Sequence, residues 1–136
     1  MKISLIGTIN RGTFSIESDD YSEIFGHCKI DTRTLKCEDK TLFFYNKRLT
    51  YLTGFKIDPD YREKGLGSEA ISTIVEQIKN LDTEGIYLTA SAKKNTIPVD
   101  KLVSLYEKVG FTVYKKHTND EGLLIYCDMH MLFDQE

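Results

Sequence analysis

At Asp58-Pro59-Asp60-Tyr61 the chain changes its hydrophobic period, and that switch constrains the fold more than any other feature. Before it, apolar and β-branched residues come in short runs with turn residues between them. Lys2–Ile9, Gly12–Glu17, Glu23–Thr32, Thr41–Asn46 and Arg48–Ile57 read as strands. Asn10-Arg11-Gly12 reads as a hairpin turn, while Ser18-Asp19-Asp20 and Lys36–Lys40 are polar punctuation. No amphipathic helix of ordinary length fits ahead of this switch. After it, Leu66, Ala70, Ile71, Ile74, Val75, Ile78 and Leu81 form a stripe at helical spacing, with Glu69, Ser72, Gln77 and Lys79 turned away. Gly85 ends that helical region and Ile86–Ala92 reads as a strand. Val99–Lys108 is a second amphipathic helix, entered at Pro98 and stopped at Gly110. Phe111–Lys115 and Leu123–Leu132 close the chain as strands. No repeat or linker interrupts this order, which predicts an α+β (mixed α/β) fold: one mixed sheet with helices against it.

The 136 residues fit one domain, spanning 1–136, with enough chain to bury a core without disulfides or a structural metal. A net charge of −3 argues against a whole-surface nucleic-acid binder. Cys28, Cys37 and Cys127 are an odd set without a C-x-x-C pair, so they read as reduced thiols, and no metal site is expected. Met1-Lys2-Ile3-Ser4-Leu5-Ile6 lacks the apolar core of a signal peptide, and no run approaches a membrane span. The expectation is a cytoplasmic protein with no membrane partner; a homodimer is compatible with the sequence.

Asp58 through Ser68 carries the chemistry. It runs from strand end through glycines into a helix, whose first N–H groups lack intrahelical partners and sit at the positive dipole end. Gly65 and Gly67 let an anion approach the backbone, and Arg62 and Lys64 add cations beside it. Taken alone, the segment reads first as a helix beginning after a glycine turn. Gly65-Leu66-Gly67-Ser68-Glu69-Ala70 also satisfies the dinucleotide fingerprint G-x-G-x-x-A. That reading fails on context: several strands precede it, and the next strand ends in Ala90-Ser91-Ala92 with no carboxylate for a ribose. No G-x-x-x-x-G-K-[ST] loop exists anywhere in the chain.

Arg62-Glu63-Lys64-Gly65-Leu66-Gly67 resembles the R/Q-x-x-G-x-G/A loop of the GNAT superfamily of N-acetyltransferases. Leu105-Tyr106-Glu107-Lys108-Val109-Gly110-Phe111 resembles that family's L-Y-x-K-x-G-F segment, in the family order and spacing. The resemblance covers roughly residues 48 to 132, and Asn95–Phe111 is similar to small phage-type members. It implies a central, mostly antiparallel twisted sheet with a V-shaped splay and two main helices. The family's N-terminal helix pair is reduced or absent here, because strands and turns occupy that stretch. The resemblance implies acetyl-CoA as cosubstrate and direct transfer of its acetyl group to a primary amine. The pyrophosphate then falls to Arg62, Glu63, Lys64, Gly65, Leu66, Gly67 and Ser68. The pantetheine arm falls beside Phe55, Lys56 and Ile57, as edge augmentation, with an oxyanion donor at about Ile57.

The same resemblance makes Tyr106 the acid that protonates the departing thiolate; without it, Tyr106 reads as a packing tyrosine on a helix face. The base is open. Thr50–Ile57 holds no acid, where many family members carry a glutamate. Glu23, His27, Asp128 and His130 lie on strands that could border the slot, and a water relay or a neutral amine serves equally well. Lys93-Lys94 and Lys115-Lys116-His117 read as solvated surface, and Asp128, Asp134 and Glu136 tilt the C-terminal segment acidic. Amino acid, polyamine, aminoglycoside, protein lysine and protein N-terminus are all acceptors of the right class. The reduced acceptor-side wall favours a large one, such as a protein lysine. The alternative is a CoA-binding regulatory module of the same fold without catalysis.

Overall fold

The computed structural model describes residues 1–20, 22–34, 46–58, 65–91 and 98–133. These form β1 (Lys2–Gly7), β2 (Arg11–Glu17), β3 (Ile24–Thr34), β4 (Arg48–Ile57), α1 (Leu66–Lys79), β5 (Gly85–Ser91), α2 (Val99–Val109), β6 (Thr112–Thr118) and β7 (Leu124–Leu132). The strands make one sheet in the order β1-β2-β3-β4-β5-β7-β6. All neighbours are antiparallel except β4 and β5, which the α1 crossover makes parallel. The expected α+β class and mostly antiparallel sheet hold, and no helix precedes β4 among the described residues.

Both helices lie on one face of the sheet. The α1 stripe buries Ala70, Ile71, Ile74, Val75 and Ile78, and α2 buries Val99, Val103 and Tyr106, all in one cluster with inward-facing strand residues. Strand alternation supplies the other half: Cys28 and Ile30 on β3, Ile86, Leu88 and Ala90 on β5, Cys127 and Met129 on β7. The opposite face then carries the odd residues of β3, including His27, Lys29 and Asp31, with Tyr87 and Thr89 of β5 and Asp128 and His130 of β7. Among the described residues no helix covers it. None of the described helices is long and apolar enough to cross a membrane.

Element ends differ from the sequence reading in places. The first turn lies at Thr8–Asn10, and Arg11 and Gly12 already pair in β2. Thr8 N–H donates to the Arg11 carbonyl, and Arg11 N–H donates to Thr8 Oγ1, which closes the turn earlier. β6 runs to Thr118 because its register with β7 continues to Leu124. Of the expected strand Thr41–Asn46, residues 41–45 lie outside the described residues, and Asn46 sits in the turn before β4.

Candidate functional site

β4 and β5 pair only at Thr50–Leu52 with Ile86–Leu88. Below that point they are stapled. The Arg48 N–H donates to Glu84 Oε2 at 2.7 Å and the Thr50 hydroxyl donates to Thr83 at 3.0 Å, while a buried bond of 2.8 Å between Thr32 and Thr50 ties β4 to β3. Above it, β4 continues to Ile57 and β5 to Ser91 without pairing, so the two strands diverge toward their C-terminal ends.

A bulge in β4 sharpens the divergence. Two steps on β3, from His27 to Lys29, oppose three on β4, from Lys56 to Thr53. The extra residue falls at Gly54, which takes the left-handed φ of 65°. Among the described residues, a Cβ there would meet nothing within 4 Å. The skip therefore lies three residues before Ile57, where the sequence reading had placed the oxyanion donor; Ile57 itself is paired opposite Gly26.

The space between the strands is a passage of about 700 Å³, within the size range of small-molecule sites. Of the residues singled out in the sequence, Phe55, Lys56, Ile57, Gly65, Gly67, Ser68 and Tyr106 line it. Leu66 opens α1 between two of them. Arg62, Glu63 and Lys64 lie outside the described residues, as do Asn95 and the Lys93-Lys94 pair. His27 reaches the lining from β3 and Lys101 from the first turn of α2.

The lining comes from both faces of the sheet. Leu88, Ala90 and Tyr106 belong to the helix side, while Tyr51, Thr53, Thr89 and Ser91 alternate to the bare side. The space between the strands is therefore lined from both faces of the sheet.

At the helix side the glycine turn ends at Gly65, with φ 75° and no side-chain cap. Among the described residues, a Cβ on Gly65 or Gly67 would meet nothing within 4 Å. The turn leaves the first N–H groups of α1 facing an open cradle that suits an anion. That is a fit for a pyrophosphate on backbone donors.

Tyr106 is 6% exposed, its ring edge-on to Phe55 at 6.4 Å and to Phe111 at 5.7 Å. Its carbonyl accepts the N–H of Gly110 and of Phe111, so the end of α2 fixes its turn. Burial, and secondarily the Cys28 thiol nearby, pushes the phenol well above its usual range. It stays protonated at neutral pH and is a donor. Cys28 is fully buried beneath the bulge, its Sγ 3.6 Å from the Thr53 carbonyl, and burial pushes the thiol up to about 12.

The four base candidates separate. His27 lines the passage. Glu23 is exposed, and its carbonyl accepts the Ser18 N–H at the turn before β3. His130 lies on β7 beside the Tyr114 ring, at 6.0 Å. Asp128 does not line the passage but accepts from the hydroxyl of Thr89, which does, at 2.9 Å. Its other oxygen meets His117 Nε2, also at 2.9 Å. His117 is therefore tied into the sheet face and is not part of a solvated basic patch. Sequence reasoning missed Thr89, Tyr51 and the Gly54 bulge. A glycine inside a β-branched strand was the one signal for the last of these.

The model of the acetyltransferase (GNAT) family matches residues 7–111. No curated protein sequence gives a significant match. Among solved structures, a chimera of the Vibrio cholerae spermidine N-acetyltransferase SpeG with hSSAT superposes with TM-score 0.65 at 18% identity, over 90% of this chain and 67% of that one. The Vibrio cholerae enzyme in complex with CoA and spermine gives 0.65 at 17% identity, over 90% and 66%. Arabidopsis thaliana NAA60 in complex with acetyl-CoA gives 0.64 at 14% identity, over 90% and 76%. The chain thus spans about two thirds of the Vibrio chains. At these identities the likeness is one of fold, and the family model supplies the rest: the chain belongs to the GNAT family of acetyltransferases.

Proposed function

We propose that this protein transfers the acetyl group of acetyl-CoA directly to a primary amine. The observation that carries this reading is the passage between β4 and β5, with a glycine helix start on its helix side and a buried tyrosine against its wall. Gly65, Gly67 and Ser68, with Arg62, Glu63, Lys64 and Leu66 of the same loop, take the pyrophosphate on backbone N–H groups. Phe55, Lys56 and Ile57 run beside the pantetheine arm, which occupies the place of a missing strand. The thioester then lies at the bulge, where interrupted pairing at Gly54 and Phe55 offers backbone N–H groups to the oxyanion.

The amine enters from the bare face. Its nitrogen attacks the thioester carbon, the C–N bond forms, the C–S bond breaks, and Tyr106 protonates the thiolate. The open face, with exposed His27, Lys29, Thr53 and Thr89 and no described helix over it, favours a protein-borne lysine, which brings its own contacts. The polyamine named for the Vibrio enzyme is the small-molecule counterpart.

A second reading rests on one observation: β4 has no carboxylate to act as a base. A CoA-binding module without catalysis would look the same there. Release of free thiol from acetyl-CoA with a panel of amines separates the two. Amine-dependent release supports transfer, and binding without release supports the module.

A further inference from the structure

Thr89 is the first β5 residue beyond the last pair with β4, so it stands at the apex of the V, across from the Thr53–Gly54 bulge. Its side chain alternates to the bare face, while Tyr106 reaches the same passage from the helix face. The Thr89 hydroxyl donates to Asp128 Oδ1 at 2.9 Å. That leaves its oxygen lone pairs to accept a hydrogen bond from the passage. Asp128 Oδ2 is held at 2.9 Å by His117 Nε2, and the His117 ring stacks on Tyr126 with centroids 4.0 Å apart. Against an ionised carboxylate, which only accepts, that ring nitrogen is the donor. Three strands thus fix one chain of hydrogen bonds, ending in a hydroxyl at the apex and backed by a carboxylate.

We propose that Thr89, positioned by Asp128 and His117, takes up the proton that the acceptor nitrogen sheds as it becomes an amide. This rests on the acetyl-transfer reading and supplies the base that β4 lacks. When the neutral amine adds to the thioester carbon, the nitrogen becomes cationic and its N–H acidic. One N–H proton passes to Thr89 Oγ1 as the hydroxyl proton moves to Asp128 Oδ1, and thence to solvent. The thiolate departs with the proton of Tyr106. The Asp128 proton leaves to water, and the phenol regains its own from water. Acetyl-CoA and a neutral amine thus become an amide and a free thiol, with no net proton gained or lost. The acid and the proton acceptor lie on opposite faces of the sheet, so they do not compete for the same proton.

The test uses the full chain with spermidine and a lysine-bearing peptide as probes, at saturating acetyl-CoA. Thr89→Val keeps the shape and removes the hydroxyl; Thr89→Ser restores it. Expected are a kcat at least about tenfold lower for T89V, recovery to within about threefold for T89S, and unchanged acetyl-CoA affinity in both. Asp128→Asn should lower kcat similarly, and T89V/D128N should be no slower than the slower single variant, because the two act as one unit. Wild-type kcat in T89V, additive losses in the double variant, or a loss of acetyl-CoA affinity would each overturn the relay. A wild-type chain whose melting temperature acetyl-CoA does not raise would instead sink the underlying acetyl-transfer reading, and the relay with it.

Discussion

Leu52 and Leu88 are the last residues at which β4 and β5 stay paired, and the passage opens just beyond them. Both side chains are buried under the helices, at 2% exposure each, so the closed end of the V is anchored in the core. The open end carries the two helix starts, the bulge and Tyr106. A rigid hinge point with a divergent pair above it needs little reorganisation to admit an extended arm.

Tyr106→Phe tests the acid. The ring packs against Phe55 and Phe111 and keeps its volume in the variant, so stability should change by less than about 1.5 kcal/mol. The hydroxyl is lost, and kcat should fall by about a hundredfold or more with acetyl-CoA affinity unchanged. Steady-state kinetics beside a urea melt checks both. Full activity in the variant would remove Tyr106 from the chemistry.

Gly65→Ala tests the cradle. The position sits at φ 75°, so a Cβ costs about 1–2 kcal/mol of backbone strain, although none of the described residues comes within 4 Å of it. The methyl group should instead meet the pyrophosphate. Acetyl-CoA should bind about tenfold more weakly, while acetyl-pantetheine, which lacks the pyrophosphate, should bind as it does to the wild type. Calorimetric titration of both ligands reads the difference.

Cys28 predicts an alkaline loss of stability. Its thiol is pushed up to about 12 in the fold, by burial, and unfolding returns it to the ordinary thiol range near 9. Between those values the folded chain holds the proton that the unfolded chain has released, so stability falls as pH rises above about 9. Below that pH the thiol is protonated in both states and contributes no slope. Tyr106 is raised in the same direction and adds to the effect at higher pH. Urea midpoints from pH 7.5 to 10.5 should decline, and Cys28→Ala should flatten the decline.

Much of this was legible in the sequence because it is local. The α1 stripe, the Gly65 turn and the Leu105–Phe111 segment are each written in one stretch of chain, where period and punctuation suffice. What escaped was tertiary. Thr89 and Asp128 are 39 positions apart and meet only because β5 pairs with β7 in one register; a shift of one residue would turn Asp128 into the core. The bulge escaped for a related reason. Gly54 signals an irregularity, but which strand it skips against is decided by the partner, β3. His117 and Asp128 looked like separate members of a basic and an acidic surface stretch until β6 and β7 brought them together.

The most direct test of the central claim is mass spectrometry of spermidine and lysine-bearing peptides after incubation with isotope-labelled acetyl-CoA and the full chain. The account predicts one labelled acetyl group on an amine nitrogen, formed with equimolar free CoA and strongly diminished in Tyr106→Phe. Acetyl-CoA that raises the melting temperature but leaves every amine unlabelled would contradict it and leave a binding module in its place.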